Sequence, residues 1–213
     1  MPSHPLHQSI GCVLDGVHQS LPDDLRRDCV LIKDPACVSG PSPAYVRVPQ
    51  NIPLFCSAVR SNPTEYCNVD ALVLLGGRIK VILEIEESAL GPTQLFGKFL
   101  TSAAAHCYIH DADGATPALK AERVLFVQIM DTSDLKPRST KREQWRNIES
   151  SVRAMLPLGS IGEYHLFHGG EDDFTPDQPV ASQFAACVSA VLVERPHVAT
   201  GPATILHPEP GSR

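Results

Sequence analysis

The chain has 213 residues, 43% of them hydrophobic, which is enough for one well-filled domain and short for two. Its formal net charge of −6 weighs against a generic nucleic-acid binder, which carries a basic surplus. No run of eighteen apolar residues marks a membrane span, and Met1-Pro2-Ser3-His4 lacks the basic-then-apolar pattern of a signal peptide.

In chain order, Ile10, Val13, Leu14 and Val17 recur at helical spacing and predict a helix over residues 7–20. Residues 28–33 predict a brief strand. Residues 35–53 are proline-rich and read as extended coil with an edge strand at 45–48. Two β-branched and aliphatic runs then flank Gly76-Gly77, a strong hairpin signal. Gly91-Pro92-Thr93 opens a helix running to about residue 109, with proline tolerated in its first turn. The apolar run at 124–129 marks a buried central strand. Thr140 and Glu143 have capping-box spacing at the start of a helix over 140–156. A strand near 163–167 and a helix over 179–194 complete the pattern.

An antiparallel pair followed by strand-helix-strand units implies an α/β fold, with a mixed central sheet flanked by helices on both faces. A single domain is expected over residues 1–195, with a loose proline-rich tail at 196–213. The cysteines, at positions 12, 29, 37, 56, 67, 107 and 187, are odd in number and scattered without a Cys-x-x-Cys pair. That usage fits a reducing compartment, so a soluble cytoplasmic protein is expected.

The segment from Asn68 to Glu87 carries the chemistry. Asp70 stands at the head of one apolar run, and Glu84 and Glu86 stand one residue apart at the end of the next. Carboxylates inside buried runs are expensive to desolvate unless positive charge compensates them. A hard divalent cation, magnesium or manganese, is the economical compensation for oxygen ligands. The bland alternative is a polar strand end.

Asp70, then Glu84-Ile85-Glu86 fourteen positions later, then a helix beginning near Gln94, resembles the PD-(D/E)XK nuclease superfamily, which has the restriction-endonuclease fold. The resemblance covers roughly residues 53–130. It implies that Asp70 and Glu84 hold magnesium, or manganese, with the Ile85 carbonyl completing the shell. The metal would activate water and neutralise charge on a DNA phosphodiester. Two departures stand out: Asn68-Val69 where a proline often precedes the first acid, and Glu86 where a lysine is usual. Some restriction enzymes carry Glu-x-Glu there, so Glu86 becomes a ligand for a second metal or a general base. In some branches the lysine lies on the following helix. Lys98, one turn after Gln94, is therefore either a site residue reaching back with Gln94 toward the acids or part of a helix surface.

The function so implied is a magnesium-dependent, restriction-type endonuclease acting on duplex DNA, with a homodimer as the simplest way to cut both strands. The alternatives are a fold relative without catalysis that serves as a binding or regulatory module, and a metal-dependent hydrolase of RNA or a nucleotide. Lys136, Arg138, Lys141, Arg142 and Arg146 form either a solvated helix face or a phosphate-contacting patch.

The site reading also demands a register. A tight turn at Gly76-Gly77 pairs Leu75 with Arg78 and sets Asp70 opposite Leu83, on the wrong face from Glu84. A three-residue loop, or a bulge near Asp70, brings Asp70 opposite Glu84. Lesser candidates are His106 and His110, one turn apart on the predicted helix around Cys107; Asp15 as an extra acid; Glu65, attributed to a turn; and residues 169–173, read as a turn rather than a calcium loop.

Overall fold

The computed structural model describes residues 4–88, 90–110 and 117–193; the tail expected at 196–213 lies outside the described residues. The elements in order are α1 (Pro5–Ser20), α2 (Asp23–Asp28), β1 (Cys29–Lys33), β2 (Val46–Arg47), β3 (Pro53–Phe55), β4 (Glu65–Asn68), β5 (Ala71–Leu75), β6 (Arg78–Glu86), α3 (Pro92–Ala104), β7 (Cys107–Tyr108), β8 (Ala118–Asp131), α4 (Lys141–Ala154), β9 (Ile161–Gly169) and α5 (Pro179–Val193). Among the described residues nine strands form one mixed sheet in the order β2-β1-β5-β6-β8-β7-β3-β4, with β9 also paired to β8. The fold is α/β, as expected. Among the described residues no helix is long and apolar enough to cross a membrane.

Strands β1, β5 and β6 run antiparallel, and β6, β8 and β9 run parallel through the crossover helices α3 and α4. Parallel neighbours are buried on both faces, which explains the unbroken apolar run inside β8. On one face Leu6, Ile10 and Leu14 of α1 and Phe184 and Val188 of α5 pack against Val73, Val81 and Leu83. On the other, Leu95 and Phe99 of α3 and Trp145 of α4 pack against Leu72, Ile82 and Phe126.

The hairpin decides the site. Its turn is the tight two-residue kind, pairing Leu75 with Arg78, and both glycines take the positive φ it requires (58° and 72°). The register then shifts between Val73 and Leu74: Leu74 pairs with Ile79, but Val73 pairs with Val81. Lys80 is the extra residue of a β-bulge. The phase of β6 flips there, so Ile79 packs on the α3 face and Val81 on the α1 face. The ladder ends with Ala71 opposite Leu83, and Asp70, just before β5, donates its N–H to the Leu83 carbonyl at 3.1 Å. The register shift comes from a bulge near the turn, and the three-residue loop that the site reading asked for is absent.

Three sequence expectations are corrected. Helix α3 stops at Ala104, because His106 leaves the helix to donate its N–H to the Phe55 carbonyl at 2.7 Å and Cys107 joins a strand. His106 and His110 are therefore not a helical pair. The Thr140 side chain makes no cap; the Ser139 hydroxyl accepts the Lys141 N–H at 3.2 Å instead. Short elements α2, β3, β4 and β7 went unforeseen.

Helix α1 lies close against the turn at Pro35–Cys37 through Gly11, where a Cβ would stand 1.8 Å from the Cys37 carbonyl oxygen. Gly16, on the same helix, has open space. Gly11→Ala should therefore lower unfolding free energy by about 2 kcal/mol or more, while Gly16→Ala should raise it by up to about 1 kcal/mol. Denaturant titration of both variants checks the pair.

Candidate metal centre

Asp70 sits at the entry to β5, and Glu84 and Glu86 occupy the last turns of the pleat in β6. Alternation along β6 points Val81, Leu83 and Ile85 toward α1 and turns Glu84 and Glu86 toward α3. Both glutamates are buried, at 1% and 7% exposure, among the least usual residues to find there. Helix α3 supplies the charge they need. Lys98 Nζ lies 3.1 Å from Glu84 Oε2 and also pairs with Glu86 Oε1. The sequence alternative in which Lys98 faces solvent is thus settled in favour of contact with the acids.

Asp70 is fixed from two sides. Its Oδ2 accepts the Ile85 backbone N–H at 2.6 Å, and its Oδ1 lies 3.8 Å from His7 Nε2. Those contacts bring α1, β5 and β6 to one point. His7 in turn sets Nδ1 3.0 Å from Glu87 Oε1, and His4 Nδ1 lies 2.8 Å from Glu87 Oε2.

Gln94 does not reach the acids. Its exposed side chain folds back, and Oε1 accepts the Gly91 N–H at 3.0 Å, closing the first turn of α3. Asp15 pairs with buried Lys33 at 2.7 Å, and Lys33 also donates to the Gly11 carbonyl, a tie beneath α1 rather than a ligand for the centre. Glu65 accepts from Asn68 Nδ2 at 2.8 Å. Residues 171–174 form a 3-10 turn closed by Asp173, which accepts the Gly170 N–H.

Sequence reasoning missed His7, His4 and Glu87, and it missed Gln128. Gln128 pairs in register with Glu84 across β6 and β8 and is fully buried. It accepts the Tyr164 hydroxyl at 2.6 Å and donates to the Leu95 carbonyl, which holds α3 against the sheet beside Glu84. A lone amide inside an apolar strand was the available signal.

The electrostatics are unbalanced toward negative charge. Burial above all, then the neighbouring Asp70 and Glu86 against the opposing pull of Lys98, pushes the Glu84 carboxyl up to about 8. Burial likewise raises Glu86, although Lys98 opposes it. Burial works against the charge of Lys98, but Glu84 and Glu86 outweigh it and hold the ammonium above the ordinary lysine value. His7 behaves alike: burial disfavours its charge, and Asp70 and Glu87 raise it overall. Glu84 Oε1 is buried with no hydrogen-bond partner. Added positive charge at that oxygen would offset what Lys98 leaves uncompensated.

The chain matches no family model, no curated protein and no solved structure.

Without metal, the folded protein holds a proton on Glu84 up to about pH 8, whereas the ordinary value is 4.5. Between these values the folded state binds more protons than the unfolded chain, so stability falls as pH rises through that window. Denaturant titrations in chelator should show a loss on the order of a few kcal/mol across it. Glu84→Gln should flatten the pH dependence and be the more stable protein at the alkaline end.

Proposed function

We propose that the protein is a metal-dependent endonuclease of restriction type that hydrolyses DNA phosphodiester bonds, working in the cytoplasm on duplex DNA. The observation that carries this reading is Lys98 bridging the buried Glu84 and Glu86 at one end of the sheet, with Asp70 held beside them by the Ile85 N–H. The order of elements supports it as well. A helix, an antiparallel trio β1-β5-β6, a crossover helix and a parallel β8 fit the restriction-endonuclease-like core that the resemblance implies. Free thiols at all seven cysteines suit a reducing compartment.

Asp70, Glu84 and Glu86 would hold magnesium or manganese, with the Ile85 carbonyl as a further ligand. Bound there, the ion supplies Lewis acidity that lowers the pKa of water and offsets phosphate charge. Asp70 keeps its orientation through the Ile85 N–H. Lys98, held between two glutamates, is placed to receive a phosphate oxygen or to orient water once a cation takes over their charge. Glu86, the less buried of the two glutamates, is the candidate general base or second ligand.

Support for a nucleic-acid partner comes from where the basic cluster lies. Glu86 pairs with Met130, so the loop leaving β8 starts at the same sheet end as the acids. That loop and the start of α4 carry Lys136, Arg138, Arg142 and Arg146, all exposed. Lys141 ties the cluster to the segment after β6 by donating to the Leu90 carbonyl at 3.3 Å. A basic rim beside an acidic centre offsets the overall charge where a phosphate backbone would lie. In a homodimer, two such centres would face the two strands of a duplex.

Cleavage of supercoiled plasmid with magnesium or manganese tests the reading. Wild type should nick or linearise the plasmid, and Glu84→Ala should reduce the rate by at least about two orders of magnitude. Metal binding without cleavage of DNA, RNA or single strands would favour a binding or regulatory module instead. The joint change Arg142→Glu and Arg146→Glu should weaken duplex binding and lower the salt slope by about 2, leaving metal binding intact. Fluorescence anisotropy at several salt concentrations measures both quantities.

A further inference from the structure

A second group of metal-ligating side chains lies beside the acidic centre and differs from it in chemistry. His4 immediately precedes α1 and His7 lies in its first turn, three positions apart, so both rings fall on the same side of the helix with centroids 5.5 Å apart. Glu87 directly follows β6 and meets them from the sheet. The two histidine Nδ1 atoms stand 2.8 and 3.0 Å from the two oxygens of that one carboxylate. One ligand atom from each of the three residues lies within 4.8 Å of the others.

Ligand atoms of a tetrahedral zinc site with bonds of ~2.0–2.1 Å stand roughly 3.3 Å apart, so side-chain rotation alone would draw this group closed. His7 adds the feature that separates a built ligand from a surface imidazole. It is buried, and its far nitrogen, Nε2, faces Asp70 Oδ1 at 3.8 Å. Metal-bound imidazoles are held by a carboxylate on the opposite ring nitrogen, which fixes the ring and strengthens it as a donor. Glu87 and His4 are partly exposed, leaving an entry path and room for a solvent ligand.

We propose that His4, His7 and Glu87 form a separate site for a borderline transition ion of the zinc or cobalt class, with Asp70 as the outer carboxylate behind His7. Two imidazole nitrogens and one oxygen select such an ion over magnesium, whereas the Asp70, Glu84 and Glu86 group offers oxygen alone. Asp70 links the two groups, facing His7 with one oxygen and accepting the Ile85 N–H with the other. None of the three ligands belongs to the oxygen group of the proposed nuclease centre, which shares only Asp70 with this site.

Titration of the metal-free full chain with cobalt(II), read by visible absorption, tests it, with zinc as the competitor. Wild type should bind one cobalt with the intense bands of a four- or five-coordinate ion, and zinc should bleach them. His4→Ala and Glu87→Gln should each weaken cobalt binding at least tenfold, while Glu84→Gln retains the bands. His4 precedes the helix and is partly exposed, so its removal leaves the core intact, which circular dichroism verifies. Absence of bands in wild type overturns the site. So does unchanged affinity in both His4→Ala and Glu87→Gln, or loss of the bands in Glu84→Gln with retention in His4→Ala, which would put the ion among the oxygens.

Discussion

Lys98 lies between two glutamates buried at the end of β6, and much of this molecule's organisation follows from that contact. A carboxylate removed from water loses solvation that only nearby positive charge or donors can replace. One ammonium serves both glutamates, and the balance stays short: Glu84 keeps one oxygen without a partner and an affinity for protons far above that of a free side chain. Natural cores avoid such an arrangement unless it is used. Under the proposed function, a divalent ion would supply the positive charge that Lys98 alone leaves short.

That centre depends on one inserted residue. The glycine turn alone would set Ala71 opposite Ile82 and turn Glu84 toward α1; the Lys80 bulge sets Ala71 opposite Leu83 instead. Bulges twist a strand and re-aim everything beyond them. Here the re-aiming moves Glu84 and Glu86 onto the α3 face, where Lys98 and Gln128 also lie. Helix α1 reaches the centre through His7, whose ring faces Asp70, while Asp70 accepts the Ile85 N–H of β6.

The sequence made the acids, the hairpin and the Gln94–Lys98 helix legible because periodicity and turn chemistry are local properties. It also exposed the register conflict, since counting from Gly76-Gly77 is enough to find it. The position of the bulge was not legible: Lys80 is an ordinary polar residue in an alternating strand, and the shift reflects pairing with two neighbouring strands. His7 was hidden for a related reason, as a histidine inside an amphipathic helix shows nothing of the carboxylates that fold back onto it. The two- to four-residue strands β3, β4 and β7 are held by partners distant in sequence and leave no periodic trace. Gln94 and Lys98 share spacing and helix, yet only the longer cationic side chain goes to the acids. The amide finds a nearer partner in the backbone of its own helix start.

Manganese binding followed by electron paramagnetic resonance tests the central claim most directly, with wild type compared to Asp70→Asn and Glu84→Gln. Saturable binding in wild type and its loss in both variants is the expected result, because under the proposed function the two carboxylates hold the ion together. Equal binding by wild type and both variants, or no binding by a folded wild type, would contradict it.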